Sequence, residues 1–262
     1  MAGVADFEGK WALVTGASAG IGVALARELA AHGAKLILTA RRRERLEALA
    51  AELRAKGTEV RLVLADLTER DAPRAIFDAT VGAGLEVEIL INNAGLGLYG
   101  NFTECDLATE LSQVQVNCEA VVHLSRLFVP AMVKRGRGWV LVVASTASFQ
   151  PVPFLSTYAA TKAFDRFFAL GLAEELAPTG VKVTALCPGP TESEFFDVAG
   201  ASKFKNRSTQ SAEDVARLGI AALATGKRKI IPYFAGRATA FIVRFVPVGL
   251  ITYFVAKAAR PK

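Results

Sequence analysis

Histidine is almost missing from this chain, with only His32 and His123 in 262 residues. Both fall inside helical patterns, which argues against a metal site. Cysteine is equally sparse. Cys105, Cys118 and Cys187 form no CxxC or other metal-ligand spacing. An odd, scattered set argues against a disulfide framework and for a reduced compartment. The N-terminal MAGVADFEGKW lacks an apolar signal core, so secretion is not expected and a cytoplasmic location is. There is no internal repeat, low-complexity stretch or convincing linker, and residues 1–262 read as one domain. Carboxylates are missing at one end. Residues 1–200 hold 19 Lys+Arg against 23 Asp+Glu, whereas residues 201–262 hold 12 against 2, a local charge of +10. Such a terminus suits phosphates, acidic groups or lipid headgroups, or it is a solvated basic face. Charge without any nucleic-acid motif gives no reason to expect nucleic-acid binding.

What is present describes an α/β chain. A hydrophobic content of 52% with 21% charge is enough to bury a sizeable core. Short apolar runs recur as strands at 11–15, 35–40, 59–65, 88–91, 139–144 and 181–186, separated by helical patterns. This alternation predicts a doubly wound parallel (Rossmann) sheet flanked by helices with right-handed crossovers. One long helix is expected over about 107–134.

The first strand runs into Thr15-Gly16-Ala17-Ser18-Ala19-Gly20-Ile21-Gly22 and then a helix, the context of a dinucleotide-binding turn. Gly16 allows the tight turn, Gly20 a close approach to pyrophosphate, and Gly22 close helix packing. The helix N-terminus offers N–H groups to the anion. After the second strand an NAD site needs an acid for the ribose hydroxyls, but Arg41, Arg42 and Arg43 stand there. Guanidinium groups suit a 2′-phosphate, so NADP (NADPH) is the expected cofactor. Asp66 after the third strand can accept from an adenine amino group or cap the next helix. Asn92-Asn93-Ala94-Gly95 after the fourth suits a flat ligand or a plain turn. Asn117 lies among apolar neighbours and needs hydrogen-bond partners if buried.

Ser145, Tyr158 and Lys162 carry the chemistry. Tyr158 and Lys162 are four apart in a helical pattern and share a face. A nearby ammonium favours phenolate and makes Tyr158 a usable acid or base. Ser145 follows the fifth strand, at the sheet edge where such folds keep their sites. There its hydroxyl can bond a substrate oxygen.

TGASAGIG (15–22), NNAG (92–95), Asn117, Ser145, YAATK (158–162) and PGPT (188–191) occur in one order. Together they resemble the short-chain dehydrogenase/reductase family, over the first 190 or so residues. A narrower similarity points to a bacterial branch related to fatty-acyl and hydroxysteroid reductases. The resemblance implies that Tyr158 protonates the carbonyl oxygen and Ser145 orients it. Lys162 would hold the nicotinamide ribose and lower the tyrosine pKa, and Asn117 would hold a water in a proton relay. It also implies pyrophosphate contacts from Gly16, Gly20, Ile21 and Gly22, and adenosine contacts from Asp66, Leu67, Asn93, Ala94 and Gly95. Pro188, Gly189 and Thr191 match the segment on the nicotinamide amide, while Arg41, with Ser18, matches the NADP-selecting position. Ala19 departs from the basic residue some NADP-dependent members carry, so selection leans on Arg41 and Arg42. Members of the family usually form homodimers or homotetramers through the helices matching those of Asn117 and Tyr158.

Residues 191–208 read as a substrate lid. Phe195 and Phe196, with Leu96, Leu98, Phe149 and Phe154, are expected to line an apolar pocket for an acyl, steroid or aromatic carbonyl. Residues 238–262 form an apolar, basic extension. Arg244, Pro247 and Gly249 argue against a membrane span there, since a charge at mid-span costs roughly 2.5–3.5 kcal/mol. Two short amphipathic pieces remain open to membrane-surface contact, to covering the pocket or to packing on a partner. The sequence therefore predicts an NADP-dependent oxidoreductase exchanging hydride at a carbonyl or alcohol carbon. A non-catalytic NADP sensor, a membrane-attached interaction protein, and lyase or isomerase chemistry are the alternatives.

Overall fold

The computed structural model describes residues 7–201 and 210–261. Seven parallel strands form one sheet: β1 Trp11–Thr15, β2 Lys35–Ala40, β3 Val60–Leu64, β4 Val87–Asn92, β5 Gly138–Val143, β6 Val181–Leu186 and β7 Lys229–Ile230. Their order is β3-β2-β1-β4-β5-β6-β7. This is the doubly wound sheet that the alternation of apolar runs predicts, with the two-residue β7 as an unforeseen edge.

Because successive strand residues face opposite ways, each strand feeds two cores. Ala12, Val14, Leu36, Leu38 and Leu141 pack with α1 (Gly20–Ala31), α2 (Arg43–Ala55) and α8 (Ala212–Ala224). Leu13, Ile37, Leu90, Val140 and Val142 pack with α3 (Ala72–Thr80), α5 (Ala120–Arg135) and α6 (Ser156–Glu175). Strand order reverses between β1 and β4, and the crevice beyond their carboxyl ends is where such sheets hold ligands.

The long helix expected over 107–134 is present as one continuous run, Leu107–Arg135, interrupted internally by a π-turn. α4 (Leu107–Val114) passes through a π-turn, Gln115–Glu119, into α5. The extra residue per turn disturbs the i→i−4 ladder and sits at Asn117, whose side chain is completely buried. The helical run Leu107–Arg135 is long and apolar enough to cross a membrane by length and composition, yet half of its apolar window is buried within the fold.

After β6 the chain forms a short helix, α7 (Phe195–Val198), and bridges Thr191 to Gln210. The part of the expected lid at 202–208 lies outside the described residues. The C-terminal extension forms α9 (Phe234–Ile242) and α10 (Val248–Ala259), parted before Pro247 as the sequence predicts. The α9 helix packs beside the turn Thr146–Phe149, and the Tyr99 hydroxyl donates to the Ala259 carbonyl at 2.8 Å.

Candidate active site

A cavity of 460 Å³ opens at the carboxyl ends of β1, β2, β4, β5 and β6. Each predicted cofactor residue lines it: Gly16, Ser18, Gly20, Ile21, Gly22, Arg41, Arg42, Asp66, Leu67, Asn93, Ala94, Gly95, Pro188, Gly189 and Thr191. The glycines are demanded by geometry. Gly16 has φ +66°, and a Cβ on it would lie 2.9 Å from the Ala94 Cα. The turn is locked from β4, where Asn93 Nδ2 donates to the Thr15 carbonyl at 2.8 Å and Thr15 Oγ1 accepts from the Asn93 and Ala94 amides. Ala19 at the N-cap gives α1 no side-chain cap, so its first N–H groups are available to an anion in the cavity. Glycine cradle, uncapped helix and adjoining cavity fit a dinucleotide pyrophosphate.

Arginines crowd the rim beyond β2. Arg41 pairs with Asp66 at 3.5 Å. Arg42 donates to Ser18 Oγ at 3.1 Å and to Glu194 at 2.9 Å, while Arg45 donates to the other Glu194 oxygen at 2.6 Å. Thr68 donates twice to Asp66 Oδ1, and these bonds with Arg41 hold its carboxyl below the usual range despite partial burial. The arginine pair on Glu194 pulls that carboxyl down as well. Sequence alone does not mark Glu194 and Arg45 as site residues, because their pairing spans 149 residues.

On the opposite wall stand Ser145, Tyr158 and Lys162. Ser145 caps the turn after β5, accepting from the Ala147 amide at 3.1 Å, and its hydroxyl lies where it favours the ionised form of the Tyr158 phenol. Tyr158 and Lys162 project from successive turns of α6. The Lys162 ammonium, 4% exposed, donates to the Val143 carbonyl at 2.8 Å and to Asp165 at 2.9 Å.

Burial pushes the phenol up from its ordinary value of 10, and Asp165 adds to this; Lys162 and Ser145 pull the other way without overcoming it. Lys162 acts on the phenol in the direction that the sequence predicts, but burial outweighs it, so Tyr158 keeps its proton at neutral pH. Burial works against the Lys162 charge, but Asp165 and Tyr158 outweigh it and hold the ammonium above its usual value.

Asn117 does not line the cavity and lies one layer behind it. Its Oδ1 accepts from the Leu96 amide at 2.8 Å, and its Nδ2 donates to the Leu96 carbonyl and to Thr161 Oγ1. These bonds pin the chain beyond β4 to α6. A Cβ on Gly95 would sit 3.3 Å from Lys162 Nζ and 3.4 Å from Asn117 Oδ1, so this bare backbone lets lysine and asparagine close on one point.

The apolar end of the cavity differs from expectation. Leu96, Phe195 and Phe196 line it, with Phe195 centred 5.0 Å from the Tyr158 ring. Leu98, Phe149 and Phe154 do not. Phe149 lies under the Arg166 guanidinium, 4.4 Å from ring centre to Cζ, and near Lys229. Phe154 takes the left-handed region, φ 67°, where its carbonyl accepts from Gly100. Val152, Leu155 and Val198 take their place.

Residues 10–206 match the family described as short chain dehydrogenase. An uncharacterised oxidoreductase of Staphylococcus epidermidis is 30% identical over 84% of this chain and 93% of its own. The human very-long-chain 3-oxoacyl-CoA reductase is 37% identical over 71% of this chain and 61% of its own length. A Sphingobium yanoikuyae short-chain dehydrogenase solved with NADPH superposes with a TM-score of 0.82 at 31% identity, covering 92% of this chain and 94% of that one. A Burkholderia phymatum relative solved with NAD gives 0.81 at 28%, covering 90% and 93%. This chain belongs to the short-chain dehydrogenase family, oxidoreductases acting on alcohol and carbonyl groups from an NAD(P)-binding Rossmann fold.

Proposed function

We propose that the chain is an NADP-dependent reductase of hydrophobic carbonyl compounds, and that Ser145, Tyr158, Lys162 and Asn117 do its chemistry. The observation that carries this is the hydroxyl–phenol–ammonium series of Ser145, Tyr158 and Lys162 on one wall of a cavity whose far rim is arginine-rich. When bound, the nicotinamide dinucleotide supplies the hydride for the carbonyl carbon. Ser145 donates to the carbonyl oxygen and aims it at the phenol. Tyr158 gives its proton to that oxygen as the carbon–oxygen double bond becomes an alcohol, and the Lys162 ammonium stabilises the resulting phenolate. Asn117 holds the Leu96 loop after β4 against α6 behind them and is the relay point for proton return.

The 2′-phosphate of NADP would meet Arg41 and Arg42 beside Ser18, which supports NADP over NAD. Leu96, Phe195 and Phe196 support an apolar substrate, and residues 191–208 act as its lid. The name of the human relative makes a 3-oxoacyl thioester a natural first substrate. The test is NADPH and NADH oxidation across carbonyls of graded chain length, with Arg41→Ala alongside. Turnover should rise with apolar length, and Arg41→Ala should lose NADPH affinity while keeping that for NADH. Equal activity on small polar ketones, or equal losses for both nucleotides, would refute the reading.

The whole chain serves as one catalytic domain. Exposed Leu107 and Leu111 on α4 and Phe164 and Phe167 on α6 support a homo-oligomer through those helices, to be weighed by light scattering. Three free thiols suit the reducing cytoplasm. There the C-terminal helices contact an anionic membrane surface. Phe234, Phe241, Phe245, Tyr253 and Phe254 are all more than half exposed. Beyond Asp214 the chain carries nine Lys+Arg and no acidic side chain. That face complements anionic lipid, whereas two copies apposed would repel. Sedimentation with phosphatidylglycerol vesicles, lost in Phe241→Ser/Phe245→Ser and absent with phosphatidylcholine, is expected. Concentration-dependent dimerisation through this face, without vesicle binding, would replace the membrane with a second copy.

A further inference from the structure

The buried carboxylate of Asp165 is not accounted for by the chemistry above. It lies three residues beyond Lys162 on α6, is 1% exposed, and one of its oxygens is 2.9 Å from Lys162 Nζ. Its other oxygen accepts no hydrogen bond among the described residues, so Lys162 alone compensates its charge. A carboxylate held this way in the interior is expensive unless its partner stays charged and fixed. Among the described residues the lysine donates to Asp165 and to the Val143 carbonyl at the end of β5, and together they set its direction. The other titratable groups facing the pair are Tyr158 on the same helix and Cys118 on the π-turn. Burial pushes the Cys118 thiol up to about 12, which leaves it neutral. Cys187 after β6 is likewise held up, at about 12. Among the described residues the phenol is thus the group that responds to the balance between Lys162 and Asp165.

We propose that Asp165 is a positioning residue of the reaction: its carboxylate clamps the Lys162 ammonium and limits how much of that charge reaches the Tyr158 phenol. This rests on the assignment of Tyr158 as proton donor. Without Asp165 the Tyr158–Lys162 pair loses its negative neighbour, so its first proton leaves more easily, whether from the phenol or from the ammonium.

The test is the pH profile of kcat/KM for carbonyl reduction in Asp165→Asn, with Asp165→Glu as the conservative variant. The alkaline limb of Asp165→Asn should fall by about one unit or more, and Asp165→Glu should restore it toward wild type. A folded Asp165→Asn with an unmoved limb would overturn the proposal. If Asp165→Asn does not fold, Lys162→Met/Asp165→Leu is compared with Lys162→Met. An Asp165 that acts only through Lys162 predicts a folded double variant that binds NADPH no more weakly than the single one. Weaker binding, or failure to fold, would show that the carboxylate holds something else. Inactivity of the wild type on every carbonyl would instead strike the reductase reading and leave this binding comparison informative.

Discussion

Replacing Gly22 with alanine sets two calculable effects against each other. Gly22 lies in the first turn of α1, where alanine is the better helix former by about 1 kcal/mol. Its φ is not positive, so no backbone strain opposes the change. Packing does. The new Cβ would lie 2.2 Å from the Gly16 carbonyl oxygen and 2.6 Å from Asn93 Nδ2, both well inside the 3.4 Å at which ordinary contact begins. Neither neighbour is the loose end of a flexible chain: one is backbone, and the other is bonded to the Thr15 carbonyl. Overpacking of this kind costs about 1–3 kcal/mol and sometimes more, and a clash with backbone belongs at the upper end. After the propensity gain a net loss of about 1–2 kcal/mol remains, or a Tm lower by roughly 2–8 °C at this chain size. The shift must also move the turn that holds pyrophosphate, so NADPH Kd, read by fluorescence, should weaken tenfold or more. An unchanged or raised Tm with unchanged NADPH affinity would refute the claim that Gly22 exists for this approach.

Other outcomes follow from the same geometry. Because Tyr158 is held above its ordinary value, the proton-donating form persists through neutrality and is lost only as pH rises past that raised value. Reduction by the wild type should therefore show no Tyr158 limb between pH 7 and 9, and a limb in that window would contradict the burial argument. Glu194→Gln removes a carboxylate from Arg42 and Arg45 and should tighten NADPH severalfold at low salt while leaving NADH alone; weaker NADPH binding would show that Glu194 organises the rim instead. Cys118 and Cys187, both held up to about 12 by burial, should resist iodoacetamide at pH 8 in the native protein and react once it is denatured. Native labelling of Cys187, read by mass spectrometry, would mean that the end of β6 opens.

How much of this was legible in the sequence depends on the range of the interaction involved. The Gly16–Gly22 turn, the Tyr158–Lys162 spacing and the alternation of strands are local patterns, and the fold reproduces them. Asp165 has the spacing of any i,i+3 surface pair, and only the packing of α6 against the sheet shows that it is buried. The π-turn at Asn117 keeps the same apolar neighbours as a regular helix, so nothing in composition marked it. Glu194 meets Arg42 across 152 residues, a contact no window of sequence contains. Phe149 and Phe154 failed as pocket residues because an aromatic near a site is not yet one that faces it: a cation holds the first, and a left-handed backbone turns the second.

The central claim is that Tyr158 delivers the proton during hydride transfer. Single-turnover reduction of a long-chain 3-oxoacyl thioester, followed by loss of NADPH absorbance, would test it in the wild type and in Tyr158→Phe. The phenylalanine variant should bind NADPH as the wild type does and reduce substrate at least a hundredfold more slowly. A Tyr158→Phe enzyme that binds NADPH and turns over at an undiminished rate would contradict it.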